Sequence, residues 1–171
     1  MASRDSVAVM PEGLRKNLDT PIGAFLFNVK NLRKMFIQPS KQAKKEVRSF
    51  YGSWLSGRES NEVYNNSLRR YITVNSYVSG RETSHYASFN PLTKAMVLTS
   101  FNEIMRYARK TGECEPKGNR GQRRFVRLIS LERKVSGMGT ARLTVGVKPD
   151  GQLVQYCITA STNLTGKGGA A

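Results

Sequence analysis

The feature that most constrains the fold of this chain is a pair of apolar runs near its C-terminal end. The segment Ala141–Val147 alternates apolar and polar residues, which is typical of a strand with one buried face. A second apolar run, Leu153–Thr159, follows the connecting segment Lys148–Gln152. In that connection a Pro-Asp pair suits a type I turn, and Gly151 suits the left-handed position after it. The sequence therefore predicts a β-hairpin that packs one face on a core.

Six further elements are predicted upstream of this hairpin from capping residues and apolar periodicity. They are helices over residues 20–38, 40–57 and 90–112, and strands over residues 71–74, 84–89 and 125–131. Helices and strands that follow one another in separate groups are typical of the α+β class. We expect an N-terminal helical hairpin, followed by a helix packed on a small antiparallel sheet.

The same pattern predicts how the chain is divided. Residues 1–19 are polar and predict a flexible N-terminal arm. Residues 20–57 form the basic helical hairpin, and the polar segment 58–67 is a plausible boundary. Residues 68–160 form the α+β domain with its C-terminal antiparallel sheet, and the small, polar residues 161–171 form a flexible tail.

A large excess of positive charge indicates the class of partner. The chain has 28 Lys and Arg against 12 Asp and Glu, a formal net charge of +16. Such a charge opposes folding by self-repulsion, and nucleic acid is the commonest polyanion that compensates for it. A solvated basic surface and an anionic membrane surface are the alternatives. Because no apolar stretch suffices for a membrane span or a signal peptide, we expect a cytoplasmic protein or one within a nucleoprotein particle.

The basic residues concentrate in two stretches where acidic residues are sparse. The second stretch is rich in Arg, whose forked guanidinium suits phosphate better than solubility alone requires. The predicted nucleic-acid-binding residues are Lys30, Arg33, Lys34, Lys41, Lys44, Lys45, Arg48, Arg106, Arg109, Lys110, Lys117, Arg120, Arg123, Arg124, Arg127, Arg133 and Lys134.

The sequence makes a weaker case for catalysis. It contains no P-loop, dinucleotide fingerprint, nucleophile elbow or zinc-protease motif, and Cys114 and Cys157 match no metal site. We therefore expect no metal and no cofactor. His85 is the one histidine, and its charge changes near neutral pH. Because metal-free RNA cleavage needs an acid, a base and cations, His85, Tyr156 and the arginines are candidate parts of a ribonuclease.

The last 90 to 100 residues resemble a group of small ribonucleases. The resemblance is carried by the helix Asn90–Gly112, the Arg-rich strand Arg123–Leu131 and the hairpin Ala141–Thr159, which ends Val-Gln-Tyr-Cys-Ile-Thr. This arrangement looks like the barnase/EndoU/colicin/RelE-type small RNase fold. It is also similar to related domains of phage and mobile-element polyvalent proteins.

The resemblance implies roles for individual residues. It implies an acid/base role for His85 and phosphate contacts from Arg123 and Arg127. It also implies that Tyr156 or Thr159 lies near the scissile bond. The leading interpretation is a basic nucleic-acid-binding protein, with RNA slightly favoured over DNA, that contacts mainly phosphates. The alternatives are a metal-independent ribonuclease of toxin or mobile-element type, and a genome-associated structural protein of a virus or nucleoprotein particle that assembles with further copies or partners.

Overall fold

Three helices and a six-stranded sheet make up the computed structural model, which describes residues 38–161. The helices are α1 (Lys41–Ser56), α2 (Arg81–Phe89) and α3 (Pro91–Tyr107), and a π-helical turn (Ser76–Gly80) leads into α2. The strands are β1 (Glu62–Asn65), β2 (Arg70–Thr73), β3 (Arg109–Cys114), β4 (Arg127–Val135), β5 (Gly139–Val147) and β6 (Leu153–Ser161). The predicted α+β class is confirmed. The predicted arm, the first helix of the helical hairpin and residues 162–171 of the tail lie outside the described residues.

The sheet is mixed, so the prediction of a purely antiparallel sheet is wrong. Its strand order is β1-β2-β6-β5-β4-β3. Four neighbouring pairs are antiparallel, whereas β2 runs parallel to β6, with Thr73 opposite Val154. The parallel pair joins segments that lie far apart in the sequence. Local alternation of apolar residues reports that each segment is a strand but not which distant strand it meets.

The C-terminal hairpin forms as predicted. Strands β5 and β6 pair antiparallel from Val147 opposite Leu153 outward. In the connection, the Gly151 N–H donates to the Lys148 carbonyl at 2.8 Å, and Gly151 has a positive φ of 86°. Because this φ is costly for residues with a Cβ, the glycine is the residue that lets the strands close so tightly.

Helix α1 also begins and ends where the sequence predicts. The Ser40 hydroxyl accepts a hydrogen bond from the Ala43 N–H at 3.1 Å, which satisfies one of the free donors at the helix start. At the other end, Gly57 donates its backbone N–H to the Ser53 carbonyl. The side of α1 that carries Ala43, Val47 and Tyr51 is buried.

The helices pack against the sheet and enclose the main core. Apolar side chains from all three helices meet the inward-facing residues of the strands there, and Tyr51, Ile72, Met96, Ile104 and Leu143 are fully buried. A smaller apolar cluster consists of Val78, Phe125, Leu128, Val154, Tyr156 and Cys157. Through Phe125, the second cluster fixes the segment that carries Arg120, Arg123 and Arg124.

Residues 84–89 form the greater part of α2 instead of the predicted strand. The buried side of this helix has small residues, among them Thr83, Ser84, Ala87 and Ser88. The sequence therefore lacks the stripe of large apolar residues that predicts a helix. It is held by polar contacts. The Thr83 hydroxyl accepts hydrogen bonds from the Tyr51 hydroxyl and from the Ile158 N–H of β6, both at 3.1 Å.

Three other boundaries differ from the prediction. Part of the predicted loop 58–67 forms β1, and the predicted helix ends at Tyr107 instead of Gly112 because Ala108 turns into extended backbone (φ −59°, ψ 133°). Residues 109–114 then form the exposed edge strand β3, whose polar sequence gives no alternation to detect. The Arg-rich strand begins at Arg127, so Arg123 lies in the preceding turn and not in a strand.

We predict that a methyl group at Gly146 destabilises the protein. A Cβ built at Gly146 overlaps the buried Phe125 ring, so Gly146→Ala forces the ring to move. Overpacking of this kind costs about 1–3 kcal/mol of unfolding free energy. Gly52→Ala is the matched control, because a Cβ at Gly52 meets no atom within 4 Å and Ala favours the helix by about 0.5–1 kcal/mol. Urea unfolding of both variants measures the difference, and equal stabilities would contradict this packing.

Candidate nucleic-acid interface

The segment that connects β3 to β4 carries three arginines close together in the sequence, none of which forms an ion pair within residues 38–161. We call residues 115–126 the arginine loop. Its exposed cations are Lys117, Arg120, Arg123 and Arg124. Their side chains make no hydrogen bond or ion pair with another residue of the segment 38–161. These four side chains are exposed and unpaired within residues 38–161, and the binding of phosphate by them stays a prediction.

The arginine loop is held in place by two buried side chains. The Gln122 side-chain oxygen accepts from the Lys117 N–H at 2.7 Å, and the Gln122 N–H donates to Asn119. Phe125 inserts into the smaller apolar cluster, where its ring lies edge-on to Tyr156 with the ring centroids 5.9 Å apart. Because Gln122 and Phe125 point inward, the intervening Arg123 and Arg124 point outward. The loop thus presents its cations on an ordered backbone.

A cleft of about 230 Å³ lies between the arginine loop and the start of α2. We call it the arginine cleft. Its lining includes Tyr77, Arg81, Glu82, Arg120, Gly121 and Arg124. Three guanidinium groups thus line one small cleft with a single carboxylate, and Arg81 approaches that carboxylate at 3.6 Å. The balance of charge at the cleft is positive.

The close approach of the loop to α2 depends on Gly121. A Cβ at this position would lie 3.0 Å from the Tyr156 hydroxyl and 3.2 Å from a Glu82 carboxylate oxygen. The Tyr156 hydroxyl itself donates to Glu82 at 3.3 Å. Glu82 is therefore held by the phenol on one side and by Arg81 on the other, and it stays beneath the loop backbone.

Burial raises the pKa of Tyr156, a predicted catalytic residue, and of Cys157, which follows it in the sequence. Burial, followed by the charge of Glu82, raises the pKa of Tyr156 to about 12. Burial likewise raises the pKa of the Cys157 thiol to about 12. At neutral pH the Tyr156 hydroxyl is protonated and donates its hydrogen bond to Glu82. The Cys157 thiol is also protonated, so Cys157 is a packed strand residue and not a nucleophile.

Some of the predicted cations are occupied by carboxylates. Glu113 pairs with Lys110 and with Arg127, the latter at 3.3 Å, and the hydrogen bond from Lys110 lowers the pKa of Glu113. Arg133 pairs with Glu103 at 2.9 Å. These three cations are partly neutralised within the protein, whereas the cations of the arginine loop have no carboxylate partner within residues 38–161.

The other predicted cations are spread over several elements. On α1, Lys41, Lys45 and Arg48 are exposed and Lys44 is half-buried, and the Arg48 guanidinium donates to the Ser84 hydroxyl at 3.3 Å. Arg106 at the end of α3, Arg109 on β3 and Lys134 on β4 are exposed. Lys30, Arg33 and Lys34 lie outside the described residues.

The predicted catalytic residues do not form a joined site within residues 38–161. His85 is exposed on α2, and its ring neighbours are Tyr86 and Phe89, with centroids 5.8 and 5.3 Å away. Thr159 lies on β6 opposite Arg142. No hydrogen bond or ring contact links His85, Tyr156 and Thr159 in this part of the chain. The ribonuclease assignment therefore stays a prediction.

Sequence reasoning missed Arg81 and Tyr77 as members of the cleft. Both stand outside the two basic stretches, and Arg81 is followed directly by an acidic residue, which hides it in a count of local charge. Only the packing of α2 under the arginine loop brings Arg81 to the same cleft as Arg120 and Arg124. No local feature of the sequence indicates that Arg81 lies close to Arg120 and Arg124.

The described part of the chain bears on two other kinds of site, a metal centre and a membrane-spanning helix. Within residues 38–161, no three His, Cys, Asp or Glu side chains lie together in a way that could hold a metal ion. No helix in this range has the length and apolar character needed to cross a membrane. Comparison of the chain with protein-family models, curated proteins and solved structures found no match. The resemblance to small ribonucleases consequently stays a prediction.

We predict that the two cysteines differ sharply in reactivity. Cys114 is exposed, whereas Cys157 is buried with a raised pKa. In the folded protein at pH 8, a disulfide reagent such as Ellman's should react quickly with about one thiol per chain, since only exposed thiolates react. Unfolding in guanidinium chloride should make the second thiol reactive, and Cys114→Ser should abolish the fast reaction. Two fast equivalents in the folded wild type would contradict the burial of Cys157.

Proposed function

We propose that this protein binds nucleic acid mainly through phosphate contacts, and that the arginine cleft is its principal contact. The observation that carries the proposal is the presence of Arg81, Arg120 and Arg124 around one cleft with a single carboxylate. Guanidinium groups donate forked hydrogen bonds that match phosphate oxygens. An anion in the cleft would also relieve the mutual repulsion of the three side chains.

The order of the surrounding backbone supports the same proposal. Gln122 and Phe125 fix the arginine loop before any ligand arrives, so little conformational entropy is lost on binding. Gly121 lets the loop backbone lie directly on Glu82 and Tyr156, which keeps the cleft narrow. The net charge of +16 favours fast association with any nucleic acid.

Phosphate contacts carry little base information, so we expect weak sequence selectivity. We propose RNA ahead of DNA as the partner, as the sequence predicts, and a binding assay on both separates them. The structural role in a nucleoprotein particle stays a prediction, as does the location of the protein.

The test removes two cleft charges and compares them with two paired charges. Arg120→Ala with Arg124→Ala should weaken binding to RNA about tenfold or more and should flatten the dependence of log affinity on log salt. The slope should fall by about 0.7–0.9 for each lost phosphate contact. Fluorescence anisotropy with a labelled oligonucleotide over a series of KCl concentrations measures both quantities.

The control variant is Lys94→Ala with Arg142→Ala, which removes the same formal charge. Lys94 is paired with Glu46 at 2.7 Å and Arg142 with Glu132 at 3.0 Å, so each already has a carboxylate partner that a phosphate would have to displace. The control should keep its salt slope. Equal losses in the two double variants would show that net charge alone drives binding, and absence of binding by the wild type at low salt would refute the proposal.

A further inference from the structure

A second cleft of about 310 Å³ is surrounded by exposed aromatic rings. We call it the tyrosine cleft. Its lining includes Arg58, Glu62, Tyr64, Tyr71, Arg106 and Tyr107. Tyr64, Tyr71 and Tyr107 are 42%, 60% and 46% exposed, so a large share of each ring meets solvent. Three half-exposed rings around one cleft form a surface that core packing does not explain.

Pairing within the sheet explains only part of this arrangement. Tyr64 and Tyr71 are directly opposite each other on β1 and β2, with ring centroids 5.2 Å apart, and such cross-strand pairs stabilise a hairpin. Tyr107 comes from the end of α3 and takes no part in that pair. The Arg133 guanidinium lies 5.5 Å from the centroid of the Tyr107 ring. Cross-strand pairing therefore does not explain why Tyr107 lies at the same cleft as Tyr64 and Tyr71.

A buried asparagine holds the two walls of the tyrosine cleft together. The Asn65 side chain at the end of β1 is fully buried and donates to the Met105 and Ala108 carbonyls at the end of α3, at 2.8 and 3.1 Å. Its oxygen accepts from the Ser67 and Leu68 N–H groups. Since every polar atom of this side chain is used, the rings on β1 and β2 and the ring on α3 keep a fixed spacing.

The charges around the tyrosine cleft favour an anionic, aromatic ligand. Arg58 and Arg106 outnumber the single carboxylate of Glu62, and no ion pair joins them to it within residues 38–161. The Arg58 guanidinium lies 4.2 Å from the Trp54 ring centroid. Aromatic rings bind nucleobases by stacking, and neighbouring cations bind the phosphates between the bases. The Glu62 carboxylate repels phosphate, so we expect the side of the cleft that Glu62 lines to contact a base and not a phosphate.

We propose that the tyrosine cleft binds unpaired bases of a single-stranded nucleic acid. This inference rests on the proposed function and deepens it, because the arginine cleft holds phosphates of any strand whereas the tyrosine cleft selects strands with accessible bases. A duplex hides the faces of its bases in the stack, so it gains nothing from these rings. The protein should therefore prefer single strands to duplexes of equal charge.

The experiment compares Tyr71→Leu with Tyr107→Leu in one double variant against the wild type. Leucine keeps the apolar bulk but removes the stacking face. Affinity for oligo(U) should fall about tenfold or more, because each stacked base contributes strongly. Affinity for a duplex, and for an abasic oligonucleotide of the same length, should stay within about twofold, because these probes offer phosphates without accessible bases. Parallel titrations with oligo(dT) show whether the strand is RNA or DNA, since stacking alone accepts both.

The matched control is Tyr86→Leu with Phe89→Leu, which removes two rings that are 42% and 44% exposed on α2. It should bind oligo(U) as the wild type does. Trp54 gives a second measurement because it is the one tryptophan of the chain and is stacked by Arg58. Binding of oligo(U) should change the fluorescence emission of Trp54, excited at 295 nm, whereas binding of the abasic probe should change this emission much less.

The failures of the two proposals are distinguishable. If the wild type binds no nucleic acid, the proposed function is refuted. If the wild type binds but the tyrosine variant loses no affinity for oligo(U), or the control loses as much, the assignment of the tyrosine cleft is overturned. A change of sedimentation coefficient in the tyrosine variant, without loss of oligo(U) affinity, would assign the cleft to a second copy of this chain and would overturn it as well.

Discussion

The fold depends on a buried hydrogen-bond cluster that joins the helices to the sheet. Thr83 of α2 accepts from Tyr51 of α1 and from the backbone of β6, and the Gln155 amide donates to the Tyr51 hydroxyl at 2.6 Å. This cluster lies where the register of β6 against β5 is irregular. A small-residue helix cannot be held by apolar contact alone, so these polar bonds set its position. The first turn of α2 then places Arg81 and Glu82 under the arginine loop.

The distribution of carboxylates decides which cations are available. Glu46, Glu103, Glu113 and Glu132 each bind a cation on a helix or strand, where the ion pairs are exposed and contribute little stability. No carboxylate of the described residues forms an ion pair with the arginine loop, and Glu82 beneath the loop pairs with Arg81 of α2. Four cations without an ion pair are thus grouped on one ordered loop, while others are spread over α1, α3, β3 and β4. The repulsion among the loop cations opposes folding, and a bound polyanion offsets that cost.

The elements that the sequence predicted are those with strong local signals. The β5–β6 hairpin is encoded by alternation and a glycine turn, and α1 by Ser40 and its apolar stripe. Helix α2 was missed because Thr83 and its small neighbours give no stripe. The polar edge strand β3 and the parallel pairing of β2 with β6 were missed because neither leaves a local pattern.

The same division holds for the candidate sites. Arg120 and Arg124 were predicted from local charge, whereas Arg81 reaches their cleft only through tertiary packing. Arg127 was predicted to hold phosphate, but its pairing with Glu113 depends on the register of β3 against β4. Tyr64 and Tyr107 come from different elements, and Asn65 brings these elements together through contacts about 40 residues apart in the sequence. Clusters of this kind are formed by tertiary contacts, so they cannot be predicted from residues that are adjacent in the sequence.

The central claim is that a nucleic acid lies on the arginine cleft, and arginine footprinting tests it most directly. Phenylglyoxal modifies exposed guanidinium groups, and peptide mass spectrometry gives the extent of modification at each arginine with and without saturating RNA. The account predicts strong protection of Arg81, Arg120 and Arg124, with unchanged modification of Arg142, which is paired with Glu132 on the sheet. Equal protection of Arg142 and the cleft arginines, or no protection of the cleft in the presence of bound RNA, would contradict it.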